Sequence, residues 1–249
     1  MAELQVKEIN LQRHVSVNEN LCPVVFETED RLFDTVRDGL LRIAEFWWKQ
    51  AVKIFPDFKQ RDFVIYGDLV GYVYNPFSEA SIGVIADISP ACLDYLEQIN
   101  DTFVTTEFRY KFINRPVHCR LLPSVPEGIA CYSLKTQGWI NRPVRRQFDF
   151  DNRDLCLAFA SYQDTVHDYV RTLSKLDNGL LDIAGCHALE KYLRQAQQKA
   201  QNAWRNSPQH EYHQDYLLWR TFREVGGLRY FNKYLSDSYN YNINELEQC

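Results

Sequence analysis

The sequence predicts an α+β fold: a small mixed sheet with flanking helices in the first half, and helices alone in the second. Three observations carry this. Apolar residues between Leu32 and Ile54 recur at three- and four-residue steps, the period of an amphipathic helix. Short apolar runs bounded by Gly, Pro, Asn and Asp follow between Asp62 and Leu134, as strands do. From about Asp151 onward the pattern is helical only. Elements segregated in this way point to α+β or to two packed domains, not to a doubly wound sheet.

In order along the chain, residues 1–27 read as an irregular lead-in with a short strand at Pro23 to Phe26. Thr28 is positioned to cap the long helix, with Glu29 and Asp30 in its first turn, where the helix dipole favours acids. Leu32, Phe33, Val36, Leu40, Ile43, Ala44, Trp47, Trp48, Ala51 and Ile54 form its apolar face, and Pro56 ends it. Strands follow at 62–67 and 80–88. Ser89-Pro90 opens a second helix as a cap and a first-turn proline. Phe112 to Leu122 and Gly128 to Leu134 read as further strands. Helices are expected at about 151–175 and 181–205, broken by Asp177-Asn178-Gly179 and by Asn206-Ser207-Pro208. The last helices carry Tyr216, Leu217, Trp219 and Phe222, then Leu228, Phe231 and Tyr234. The expected domains are therefore 28–142 (α/β) and 143–237 (helical), with a tail at 238–249.

With 249 residues, 45% hydrophobic and 14% aromatic, the chain is long enough and apolar enough to bury a real core. Its net charge of −5 argues against a nonspecific nucleic-acid coat and leaves room for a local basic patch. No apolar run approaches the roughly 18 residues of a membrane span. The start, MAELQVKEINLQRH, lacks the charged-then-apolar order of a signal peptide. Seven cysteines stand singly, with no CxxC pair, as in a reducing compartment and without zinc knuckles. A cytoplasmic location with no membrane partner is the expectation.

The chemistry-bearing stretch is DFVIYGDLVGYVYNPFSEASIGVIAD, Asp62 to Asp87: an apolar strand, a glycine turn at Gly67, a short tight segment and a second apolar strand. Phosphoryl transfer needs a cradle for phosphates and metal ions that neutralise developing charge. Two ions about 4 Å apart clamp the attacking and leaving oxygens, and carboxylates hold the ions. Alternate residues on a strand point the same way, so an acid–x–acid pair presents both carboxylates together.

This stretch resembles the polymerase-β-like nucleotidyltransferases, most closely those of tailed phages. RLFDTVRDGLLRIAEFW looks like their lead helix, and the stretch itself like their Gly-Ser turn, tyrosine-containing linker and Ser-Asp-x-Asp-x-His strand. NRPVHCRLLP resembles the strand that carries the third acid. GIACYSLKTQGWINRP is similar to a Gly-x-Tyr-Ser…Trp-Ile…Pro segment, and EYHQDYLLWRTFREVGGLRYF to a C-terminal helix. The resemblance covers about 28–142 and 209–232 and implies a nucleotidyltransferase-like sheet. Under it, Gly67 matches the turn glycine and Asp68 replaces the phosphate-contacting serine. Glu79 stands for the first aspartate, Ser81 for the second, Gly83 for the histidine and His118 for the third acid.

Two functions follow as expectations. One is a catalytically inactive relative that binds a protein, nucleotide or nucleic-acid partner, with Gly67, Asp68 and Ser81 at the nucleotide position and no cofactor. In the phage setting implied by the resemblance, it would modulate a host process from the host cytoplasm. The other is a divergent active enzyme moving a nucleotidyl group to RNA, protein or a small molecule, with Asp68, Glu79 and His118 as catalytic and metal ligands for Mg or Mn. The same three residues also suit a single transition metal.

Other motifs carry plainer readings. Arg142, Arg145 and Arg146 form a basic run that reads as a solvated linker, or, with Arg115 and Arg120, as a phosphate or nucleic-acid contact. His210, Glu211, His213 and Asp215 lack the HExxH spacing and read as a solvated helix start. Ser133 sits in no nucleophile elbow. Trp47 and Trp48, adjacent on one helix, are expected to face different surroundings, one of them an inter-domain or partner surface.

Overall fold

A computed structural model describes residues 13–225 apart from 97, 101–109, 113–114, 149 and 175–182. The predicted helix around Leu228, Phe231 and Tyr234 and the tail at 238–249 lie outside these residues. The fold is α+β, and the chain divides into two compact units: Gln12–Gln147, which holds the sheets, and the helices from Phe148 onward.

The first unit carries a two-stranded hairpin: the short strand expected at Pro23 to Phe26 lies later, as β1 (Phe26–Thr28), and pairs with β2 (Arg31–Leu32), which the sequence pattern does not announce. This corrects the expected helix cap. Thr28 Oγ1 accepts from the Asp30 amide at 3.3 Å, so its oxygen serves a local turn. The long helix α1 starts later, at Asp34, and runs to Ile54. Its buried residues Val36, Leu40, Ala44, Trp47 and Ala51 make one stripe at three- and four-residue steps. Trp48 is half-buried against the same core, because neighbouring positions on a helix lie only about 100° apart. The exposed aromatic here is Phe46, at 47%; the expected Trp47/Trp48 split is corrected accordingly.

Strands β3 (Lys59–Tyr66) and β4 (Ala80–Asp87) pair antiparallel and sit in the middle of a six-stranded mixed sheet. β5 (Tyr110–Phe112) and β6 (Arg115–Leu122) lie on the β4 side; β7 (Cys131–Ser133) and β8 (Gly138–Asn141) lie on the β3 side. The order is β5-β6-β4-β3-β7-β8, and β4–β6 is the parallel pair. Alternation sorts the faces. Phe63, Ile65, Ala80, Ile82, Val84, Val117, Cys119 and Leu121 point into the core that α1 covers. Ser81, Gly83, His118 and Arg120 therefore lie on the opposite face. Between β4 and β6 the short helix α2 (Pro90–Leu93) begins with the expected first-turn proline, while Ser89 precedes it without a side-chain cap hydrogen bond.

The lead-in is not loose where it is described: Leu21, Cys22 and Val25 join the core. Beyond the end of β5, the outer edge of β6 is completed by a side chain. Asn100 Nδ2 donates to Leu121 O at 3.1 Å, and the Leu121 amide donates to Asn100 Oδ1 at 2.7 Å. A buried amide here does the work of a neighbouring strand.

The second unit holds α3 (Asn152–Ser174), α4 (Ile183–Asn206) and α5 (Gln214–Glu224). Leu155, Phe159, Leu189, Leu193, Leu217 and Phe222 are buried in it. The His210–Asp215 segment is not a solvated helix start. Glu211 is 5% exposed, His210 Nδ1 lies 2.7 Å from Trp204 O, and His213 Nδ1 accepts from the Asp215 amide as the α5 cap. No helix among the described residues is long and apolar enough to cross a membrane.

Candidate functional site

The chain leaves β3 at Tyr66 and turns at Gly67, whose φ of 83° lies in the region that favours glycine. The Gly67 amide donates to Ala130 O at 3.1 Å, anchoring the turn to the segment entering β7. A 3₁₀ turn at Asp68–Val70 follows, and Asp68, half-buried, is its first residue.

The linker from Gly71 to Glu79 is held by polar side chains. Asn18 Nδ2 donates to Tyr72 O and Tyr74 O at 3.0 and 2.7 Å. Asn75 and Ser78 close a turn: Ser78 Oγ accepts from the Asn75 amide at 2.9 Å, and Asn75 Oδ1 accepts from the Phe77 amide at 2.7 Å. Asn75 Nδ2 reaches His14 O at 2.9 Å. Arg115 Nη1, from β6, donates to Asn75 O and Ser78 O at 2.7 and 2.9 Å. Arg115 Nη1 is thus engaged by the backbone just before Glu79. The Asn-Pro at 75–76 is a turn signal in the sequence and could have located this network.

At the end of that linker Glu79 meets His118. Its Oε1 lies 3.3 Å from His118 Nε2, with the two side chains 22% and 36% exposed. The strand register explains the meeting, because Ser81 pairs with His118 across the parallel β4–β6 ladder and with Tyr66 across β3. Gly67, Glu79, Ser81 and His118 are brought to one end of the sheet. Arg120 lies one step further along the same face, opposite Gly83. Gly83 is required by packing: a Cβ there would sit 2.6 Å from Leu122 Cδ1 and 2.8 Å from Val64 Cγ2.

The expected metal trio does not assemble. Among the described residues no three His, Cys, Asp or Glu side chains are placed to hold one ion. Glu79 and His118 come together, and Asp68 does not complete a third ligand with them. Of the pair only Glu79 is a carboxylate, and the His118 imidazole is not the hard oxygen donor that Mg²⁺ prefers, so the residues brought together do not fit the carboxylate-held two-ion clamp implied by the resemblance. Of the basic run, Arg142 pairs with Asp30, while Arg145 and Arg146 lie exposed on the irregular stretch that follows β8.

Burial pushes the Cys119 and Cys131 thiols up to about 12 and raises Cys22 as well. Ser133 is buried, and its Oγ accepts from the Thr136 amide at 3.1 Å, a turn contact.

Set against known proteins, the chain matches no family model, no curated protein and no solved structure.

Proposed function

We propose that the Gln12–Gln147 unit is a nucleotidyltransferase-type core that acts by binding a partner and no longer transfers nucleotides. The observation that carries this reading is the 3.3 Å contact between Glu79 and His118, at the positions where the resembled enzymes keep metal-holding acids. Three further facts support it. The elements fall in the expected chain order of strand, glycine turn, second strand and the strand bearing the third position; the first two pair antiparallel and the last runs parallel to the second. The second acid position is Ser81, half-buried and in register with His118. The turn carries Asp68, whose charge opposes a triphosphate that brings no metal.

The test is thermal melting of the full chain with each nucleoside triphosphate, with and without Mg²⁺ or Mn²⁺. A ligand at about 100 times its Kd stabilises by about 2.7 kcal/mol, a visible shift. The expected result is no metal-dependent shift. A shift without metal identifies the partner as a nucleotide; no shift at all directs the search to a protein or nucleic acid. A metal-dependent shift abolished by Glu79→Ala overturns the proposal in favour of an active transferase. The double change Ser81→Asp, His118→Glu is expected to create Mn²⁺ affinity. A folded double variant that binds neither Mg²⁺ nor Mn²⁺ would count against the nucleotidyltransferase-type core.

A further inference from the structure

The helical unit carries a cavity of its own, about 280 Å³, where α3, α4 and α5 converge. Aromatic rings form much of its wall: Tyr162 from α3, Tyr192 from α4 and Trp219 from α5. They are fixed by one another and by Phe222, which is 4% exposed. Tyr162 and Tyr192 stack with centroids 5.6 Å apart; Tyr162 stands edge-on to Phe222 at 4.8 Å; Trp219 leans on Phe222 at 6.1 Å. Walls locked in this way present ring faces without further ordering, which is what a binding site needs to avoid an entropy cost on association.

The polar part of the wall is Gln195 and an ion pair between helices, Lys199 Nζ to Asp215 Oδ1 at 2.9 Å. His213 flanks Asp215 from a second side: its Nδ1 accepts from the Asp215 backbone amide at 3.2 Å and lies 3.8 Å from Asp215 Oδ2. The Asp215 side chain is 24% exposed and that of Lys199 71%. The pair therefore offers an acceptor and a donor to a guest while remaining nearly neutral as a unit. A charged guest gains little from it; a neutral guest with hydrogen-bonding groups on its edge finds both signs. The volume lies below the roughly 300–1,000 Å³ of pockets for drug-sized ligands, which restricts the guest to a compact ring system.

We propose that this cavity binds a small uncharged heteroaromatic molecule of one or two rings, its faces against Tyr192 and Trp219 and its polar edge toward Lys199 and Asp215. Aromatic rings favour offset stacking or edge-to-face contacts with such a molecule. The site lies wholly within the helical unit and is independent of the Glu79–His118 reading.

The test uses the full chain labelled with 5-fluorotryptophan, with adenine as the probe and indole as a ring of similar size and poorer hydrogen-bonding edge. The Trp219 fluorine signal is assigned by its loss in Trp219→Phe. Adenine is expected to move that signal saturably and to bind more tightly than indole. Lys199→Met should weaken adenine by about tenfold, the equivalent of one lost hydrogen bond, and leave indole unchanged. Ala196→Phe, which fills the cavity from α4, should remove both responses with helicity and Tm retained; should it unfold the chain, the Lys199→Met comparison decides. The proposal is overturned if neither probe gives a saturable shift at millimolar concentration. It is equally overturned if the shift survives a folded Ala196→Phe, or if Lys199→Met leaves adenine unaffected.

Discussion

The surroundings of Gly83 leave no room for a side chain. A methyl group there meets Leu122 Cδ1 at 2.6 Å and Val64 Cγ2 at 2.8 Å, both on strands paired with β4. Gly83→Ala is expected to cost about 1–3 kcal/mol through overpacking, read as a lower urea midpoint with unchanged slope. Gly67→Ala fails for a different reason. Nothing stands within 4 Å of where a Cβ would lie, and the cost of about 1–3 kcal/mol comes from the backbone, whose φ of 83° and ψ of −154° suit glycine alone. The buried thiols give a pH signature. A thiol whose folded-state pKa is raised, from 9.0 to about 12 for Cys119, favours the folded state fully below the unfolded value. That contribution is lost as pH rises through the folded value, so stability should fall between about pH 9 and 12, by up to about 1.4 kcal/mol per pH unit per thiol. Cys119→Ala should remove one thiol's share of the slope, whatever it does to absolute stability; equal slopes for wild type and variant would refute the assignment.

At the scale of elements, the edge of β6 depends on Asn100. Asn100→Ala leaves the amide and carbonyl of Leu121, itself fully buried, without their partners. Each buried unsatisfied group costs about 1–3 kcal/mol. The expected result is a loss in that range and faster hydrogen exchange at the Leu121 amide, while the amides of β3 stay protected. Exchange that speeds equally across the sheet would mean Asn100 supports the whole unit and not this edge. The linker before β4 has a similar logic. Arg115 ties two carbonyls of that linker to the strand bearing His118, so the Glu79–His118 contact and the linker are parts of one structure. As a residue type, Arg115 was visible in the sequence as a cation. Its role was not, because its partners are backbone oxygens that every sequence has.

For the whole molecule, the division into two compact units falls at Gln147–Phe148, a few residues beyond the expected boundary at 142–143. The stretch 142–148 has no regular structure, and Arg145 and Arg146 are exposed on it. Within the described chain, limited trypsin digestion is expected to cut first after Arg145 or Arg146, since the Arg142–Pro143 bond resists the protease and most other exposed cations sit on helices or strands. Mass spectrometry should find new N-termini at Arg146 or Gln147, and Arg145→Gln with Arg146→Gln should abolish them. An uncut 142–148 stretch under conditions that clip a helix would show it to be covered.

Taken alone, the sequence determined α1, α3, α4, the strands at the centre of the sheet and the segregation of strands from helices. These elements carry their own periodicity, and periodicity is a local property. It did not determine the β1–β2 hairpin, whose strands of two and three residues are too short to show a period. Nor did it determine strand order, which depends on partners far apart in the chain. The candidate site divides along the same line. Gly67, Glu79, Ser81 and His118 were legible as residues, whereas their meeting came from the parallel register that sets Ser81 against His118. The failure of Asp68 to join Glu79 and His118 in a ligand trio is likewise a tertiary fact, because whether side chains converge within the 2–3 Å of a shared ion is decided by register and turn geometry. So too is the aromatic cavity, whose three rings come from three helices and leave no mark on the spacing of any one of them.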